Sequence, residues 1–240
     1  MFNSTKNIAK LWAWFQINWQ RPVSPIQTQA LLERLASDDT GEDIVFETRT
    51  YNGEIVFLVA TRNCYAEELH QLFEASIPGT TLSPLSAEQA RTLRAPLKVA
   101  ESVKMGHPMM ALNTDRITQV TLSIMTAMAS VRPSEGLVLQ VMLGGRTVPY
   151  TVPRDLGDPR QSGLSVFASG AVPMATEIHA GLQRRHSMHG FQTEVRVGAI
   201  ARDTIRGGWL LEQLRSGLAM MEAHGARVQL SGKSVQQIGR

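Results

Sequence analysis

Ser231-Gly232-Lys233-Ser234 has the residue types that end a phosphate-binding loop. Such a loop needs an earlier glycine, so that backbone amides can curl around phosphate, and a following helix whose N-terminus faces it. The position of that first glycine is Arg227, and six residues remain after Ser234. The segment is therefore not expected to bind ATP. His186 and His189 stand at i,i+3 on an expected helix end and could touch one metal, but no carboxylate or cysteine joins them in sequence. The other histidines, His70, His107, His179 and His224, are scattered, and His70 has no partner at ligand spacing. No Gly-x-Ser-x-Gly elbow or catalytic triad is visible. The single cysteine, Cys64, excludes an internal disulfide and a cysteine-based zinc site. The chain is accordingly read as non-enzymatic, with no cofactor.

The remaining chemistry is that of surfaces. Arg184, Arg185 and His186 close a helical stretch, where cations meet the negative end of the helix dipole. The same residues could join Arg154 and Arg160 of a mobile insertion that precedes the helix, and Arg196 of the next strand, in a basic surface for DNA or an acidic partner. Trp12 and Trp14 lie together on the face of a strand opposite Ala13, Phe15 and Ile17. They either pack under a neighbouring loop or domain, or form a docking surface, since clustered exposed tryptophans are typical interface anchors. The formal net charge of +3 hides an asymmetry. Residues 1–90 carry 6 Lys/Arg and 11 Asp/Glu, a balance of −5, whereas residues 91–240 carry 18 and 10, a balance of +8. Such halves suit two different partners, or each other, although chance bias of two solvated surfaces gives the same pattern.

The elements that must position these residues follow one order twice. Leu11–Trp19 alternates as a half-buried strand does. Ser24-Pro25-Ile26-Gln27 starts a helix, with Ser24 as cap and Pro25 at the first helical position. Ile44–Thr50 and Glu54–Thr61 flank Asn52-Gly53, the strongest hairpin signal in the chain. Asn63 is expected to cap a helix through Ile77, and Thr80–Leu82 makes a short strand. Residues 86–95 read as a polar linker that could be helical. In the second half, Leu97–Met105 is a strand, Asp115–Val131 a helix with methionines on its core face, and Leu137–Leu143 a central strand. A Gly/Pro-rich stretch from Gly144 to Gly170 reads as a mobile insertion. A helix over 173–188, an alternating strand Phe191–Ala199, a helix Ile205–Ala223 and a strand Arg227–Leu230 complete the set.

Both halves match the βαββαβ order. The expected fold is α+β, with two tandem ferredoxin-like domains. Residues 1–90 form the acidic one. Residues 91–240 form the basic one, with an insertion at about 144–190. Each should be a four-stranded antiparallel sheet with two helices on one face and the other face free. The third strand of each half, Glu54–Thr61 and Phe191–Ala199, lacks the glycine-and-aromatic pattern with which such sheets bind RNA. No apolar run reaches the ~20 residues of a membrane-spanning helix, and the N-terminus lacks a signal-peptide pattern, so a cytoplasmic location is expected.

Four stretches together resemble the N-terminal region that precedes the motor domain in actinobacterial conjugative-transfer ATPases of type IV secretion systems. They are Asp43–Ala60 (DIVFETRTYNGEIVFLVA), the helix running to Ile77-Pro78-Gly79, Met128–Leu143 (MASVRPSEGLVLQVML) and Leu182–Ala199 (LQRRHSMHGFQTEVRVGA). The resemblance is one of pattern and order, and no functional residue transfers with it. It implies a non-catalytic, bacterial protein-interaction module of a DNA-transfer machine, either a piece of such an ATPase or a stand-alone relative. Its implied partners are other secretion components, which could recruit it to the inner face of the membrane. Self-association and non-specific binding to DNA through the basic half are the alternatives, and a small-molecule regulatory domain is a weaker one.

Overall fold

The computed structural model describes residues 12–38, 41–105, 111–223 and 226–234. Leu11, His107 and His224 lie outside them. The elements are β1 (Trp12–Asn18), α1 (Pro25–Ala36), β2 (Ile44–Tyr51), β3 (Glu54–Arg62), α2 (Ala66–Ser76), β4 (Thr81–Pro84) and α3 (Ala87–Leu93). There follow β5 (Val99–Met105), α4 (Ile117–Ala129), β6 (Gly136–Thr147), α5 (Gly163–Ser169), α6 (Thr176–His186), β7 (Gly190–Ile200), α7 (Thr204–Ala219) and β8 (Val228–Ser234).

Local chemistry accounts for several boundaries. Ser24 Oγ accepts a hydrogen bond from Gln27 N at 3.4 Å and Pro25 occupies the first turn of α1. Ser86 and Gln89 form a reciprocal capping box on α3, so the polar linker is in part a helix. Asn63 does not cap α2 directly, because a 3-10 turn over Asn63–Tyr65 precedes the helix. Asn52 and Gly53 have φ of 49° and 82°, and Tyr51 pairs with Glu54, as in a two-residue type I′ hairpin. Gly53→Val forces a branched side chain into that left-handed region and should cost about 1–2 kcal/mol, read as a lower denaturation midpoint.

The eight strands form one antiparallel sheet, ordered β4-β1-β3-β2-β6-β7-β5-β8, rather than two separate ones. The seam is the β2–β6 pair, in register from Ile44↔Leu143 to Arg49↔Val138. β2 and β6 would each be an open edge if the halves stood apart, and mutual pairing removes both edges. β6 runs on to Thr147, past Gly144 and Gly145, with a register shift between Leu143 and Arg146. The insertion is therefore not structureless. It starts as strand, carries α5 and α6, and has its own small core of Val152, Met174, Ile178 and Leu182.

Two large cores share one face of this sheet. α1 and α2 bury Leu31, Leu35, Leu69 and Phe73 against Phe15, Ile17, Ile44 and Val59. α4 and α7 bury Ile124, Met128, Leu211 and Leu214 against Val103, Leu137, Val197 and Ala199. Leu137 belongs to the second core and Leu143 to the first, six residues apart on one strand and hence on the same side. Glu135, in the turn before β6, accepts both Arg206 Nε and Nη2 at 2.8 Å, and ties that turn to α7. Arg206 holds the Glu135 carboxyl at about 2, against an ordinary 4.5. A carboxylate with a depressed folded pKa stabilises fully above its ordinary value, and that contribution is lost as pH falls from 4.5 towards 2. The urea midpoint should therefore drop over that window less steeply in Glu135→Gln than in the wild type.

The opposite face is not free over the first half. β4 lies at one border of the sheet, while β5 lies beyond the seam. The chain between them must cross the back. α3 covers Trp14, Val45, Leu58 and Ala60 through Ala90 and Leu93. Leu97 then lies against Gly198 so closely that an added Cβ would stand 2.4 Å from its Cδ1. Beneath this crossing, Glu47, Arg49, Arg94 and Gln140 are all buried. Glu47 meets Arg49 Nη1 at 3.1 Å, Arg94 Nε at 3.4 Å and Gln140 Nε2 at 2.8 Å. Burial pushes both arginines below their ordinary pKa, and Glu47 opposes that shift.

Candidate functional site

On the helix-bearing face, the two helix pairs stand over opposite ends of the sheet. Between them parts of β6, β7 and β5, beside the seam, are uncovered, and the insertion helix α6 forms one wall of the resulting groove. The groove has a volume of about 1340 Å³. Its floor is Leu139 and Val141 of β6, Phe191, Thr193 and Val195 of β7, and Val103 and Met105 of β5. Gln29, Leu32 and Glu33 of α1 form the facing wall.

The local sequence explains why α6 stands there. Ile178 and Leu182 anchor one side of it in the insertion's core. Gln183 Oε1 accepts Val152 N at 2.9 Å, which fixes the loop before it. His179 Nε2 lies 3.3 Å from Val152 O and 3.2 Å from Pro153 O. Glu177, Gly181, Arg184, Arg185 and Met188 follow at helical spacing and line the groove. A Cβ at Gly181 would meet Ala111 Cβ at 3.4 Å, an ordinary van der Waals contact.

Arg146 fixes the opposite end. Its Nε donates to Leu35 O at 3.3 Å, its Nη1 to Gly144 O at 3.0 Å and its Nη2 to Glu42 O at 3.0 Å. Its guanidinium also stands 5.1 Å above the Phe191 ring. One side chain thus joins the end of α1, the loop before β2, and β6 to β7. A Cβ on Gly41 would lie 2.3 Å from Arg146 Nη2, so a side chain there would have to displace the guanidinium.

The residues singled out in the sequence are only partly gathered. Arg184 and Arg185 are exposed at the end of α6 and both line the groove. His186 turns instead to the Tyr150 ring, centroids 4.3 Å apart. Burial, with Arg185 beside it, lowers its pKa below the ordinary imidazole value. Arg154 is exposed in the loop next to His179. Arg160 is ion-paired with Asp158 at 2.6 Å, and Asp158 N bonds Val172 O just before α6. The 11-residue α6 spans about 16 Å, so Arg160 is roughly a helix length from Arg184. Arg196 lies on the opposite sheet face, paired with Glu194 at 2.8 Å. Trp14 is 6% exposed, with Arg94 stacked 3.7 Å from its ring centre, and Trp12 is half-buried under Arg62 at 4.4 Å. The two tryptophans therefore pack under the back-face crossing and its arginines.

The groove's charge is mixed. Glu33, Asp115 and Glu177 face it together with Arg184 and Arg185. Ser231–Ser234 forms the end of the border strand β8, and Gly232 N already donates to Glu101 Oε2 at 2.8 Å. That is the opposite of a phosphate cradle. Among the described residues no cluster of His, Cys, Asp or Glu has metal-holding geometry, and no helix is long and apolar enough to cross a membrane. What this arrangement can do is bind: an apolar floor takes an apolar stripe, and a rim of both signs orders its polar side. No family model matches the chain, and no curated protein is significantly similar to it.

Proposed function

We propose that the chain is a non-enzymatic assembly module of a conjugative DNA-transfer (type IV secretion) ATPase or its stand-alone relative, built from two ferredoxin-like halves joined edge to edge. The seam groove is its working surface, and its occupant is an amphipathic segment of the motor region of such an ATPase, in the same protein or a separate one. One observation carries this reading. Three of the stretches that resemble the conjugative ATPases, Asp43–Ala60, Met128–Leu143 and Leu182–Ala199, are the strands β2, β3, β6 and β7 with the end of α6. These are the four central strands of the sheet, and they build the seam. The groove's size supports a peptide segment over a small ligand, since it exceeds the ~300–1,000 Å³ of small-molecule pockets. The carboxylates on its rim support a protein over DNA, which a uniformly basic surface would suit better.

The nucleic-acid alternative retains one observation, the exposed Arg184–Arg185 pair. Fluorescence anisotropy of a labelled duplex at low salt separates the two. Under our reading affinity stays in the weak non-specific range and does not respond to Arg184→Glu/Arg185→Glu. Tight binding at low salt that this double variant abolishes, with the circular dichroism unchanged, would place the function in DNA binding.

A further inference from the structure

Helices α4 and α7 turn a second apolar surface outward, away from the seam. They cross closely at Gly217, where an added Cβ would stand 3.1 Å from Ser123 Oγ. Outside that crossing a groove of about 960 Å³ runs between them. Small or hydroxyl-bearing residues, Ser123, Thr126, Ala127, Gly208 and Ser216, line it beside the larger Leu122, Trp209 and Met220. Nothing lies within 4 Å of the place a Gly208 Cβ would take. Immediately beside this hollow, Trp209 projects with 70% of its surface exposed, flanked by Leu122 at 67% and Ile205 at 75%. The fold does not need these three side chains, because α7 makes its core contacts through Leu210, Leu211, Leu214 and Leu218.

We propose that this face binds a second copy of the chain in a two-fold contact, with Trp209 of each copy seated over the Gly208 hollow of the other. A two-fold interface requires one patch to carry both a knob and its matching hole, and this patch does. Charge does not oppose it. Among the described residues, the only charged one lining the groove is Glu212, which accepts Arg215 Nε at 2.7 Å. Two copies can therefore approach here despite the positive balance of the second half. The area is at the lower end of what a specific interface buries. The 16-residue α7 is about 24 Å long and the helix pair about 20 Å wide. That footprint of about 500 Å² on each copy, about 1,000 Å² in all, just reaches the ~1,000 Å² minimum for a specific interface. This face and the seam groove share no lining residue, so either reading can fail without the other.

Sedimentation equilibrium of the full chain, from about 1 to 100 µM, tests the proposal. The wild type should show a concentration-dependent dimer. Trp209→Glu should raise its dissociation constant about 30-fold or more, as loss of a central tryptophan anchor does. Ser216→Arg, an exposed change that fills the hollow without touching the core, should do the same and guards against misfolding of the first variant. A wild type that stays monomeric throughout overturns the proposal. So does a dimer that neither variant weakens, or a monomer that uses this face for another protein.

Discussion

Glu47→Ala should destabilise the protein by about 3–5 kcal/mol, the cost of leaving buried charge without its partner. Glu47 is 1% exposed and is the one anion between Arg49, at 0%, and Arg94, at 8%. None of the three guanidinium nitrogens of Arg49 makes a hydrogen bond; Nη1 only approaches Glu47 Oε1, at 3.1 Å. Removing the carboxylate leaves Arg49 without its buried counter-charge and takes one partner from Arg94, which still stacks on Trp14. The α3–β5 crossing should then lift, since water is the remaining way to solvate Arg49. Chemical denaturation reads the loss in stability, and hydrogen exchange at residues 94–98 reads the lifting. Replacing Glu47, Arg49 and Arg94 together by Leu or Met should cost far less than Glu47→Ala, because well-packed apolar residues often match or exceed a buried ion pair. Equal losses in the two variants would mean that packing, not charge, holds this region.

Arg146→Ala is expected to cost about 2–4 kcal/mol, on the scale of one or two charge-assisted hydrogen bonds. Its three carbonyl acceptors come from Leu35, Glu42 and Gly144, and its guanidinium covers Phe191. The loss should be local as well as global. Freed from Arg146, the end of α1 and the Phe191 ring no longer hold one end of the seam groove in place. Arg146→Lys should recover little, since a single ammonium cannot reproduce a planar fork reaching three carbonyls. Full stability in Arg146→Lys would show that charge alone suffices there.

The contrast between these residues and those legible in the sequence is physical. Asn52-Gly53 announces its hairpin because only two positive φ values close a two-residue turn between twisted strands. Ser24-Pro25 announces α1 for an equally local reason. Period-two alternation likewise marked β7 and period-3.6 spacing marked α4. The pairing of β2 with β6 is not local. It joins residues about a hundred positions apart, and nothing in either strand's periodicity names its neighbour. Glu47 and Arg49 alternate with Phe46 and Thr48 as a solvent-facing set would, and the crossing of residues 94–97 over the back is what buries them. Trp12 and Trp14 on that same face were the available sign that it is covered. Arg146 was hidden by Gly144-Gly145, which read as the start of a loop, while a register shift lets β6 continue through them. The candidate site was legible only at Arg184 and Arg185. Its apolar floor looked like ordinary core, and it stays open because the two helix pairs leave parts of β6, β7 and β5 uncovered between them.

The central claim is that the seam groove seats a segment of a partner protein. Its most direct test is a binding titration between the full chain and the motor region of a conjugative-transfer ATPase, comparing the wild type with Thr193→Trp. Thr193 is exposed on the groove floor, so the indole fills the site without entering the core. The account predicts saturable binding by the wild type, and a loss of about 30-fold or more in affinity for Thr193→Trp. Equal affinity of the two proteins for the motor region would contradict it.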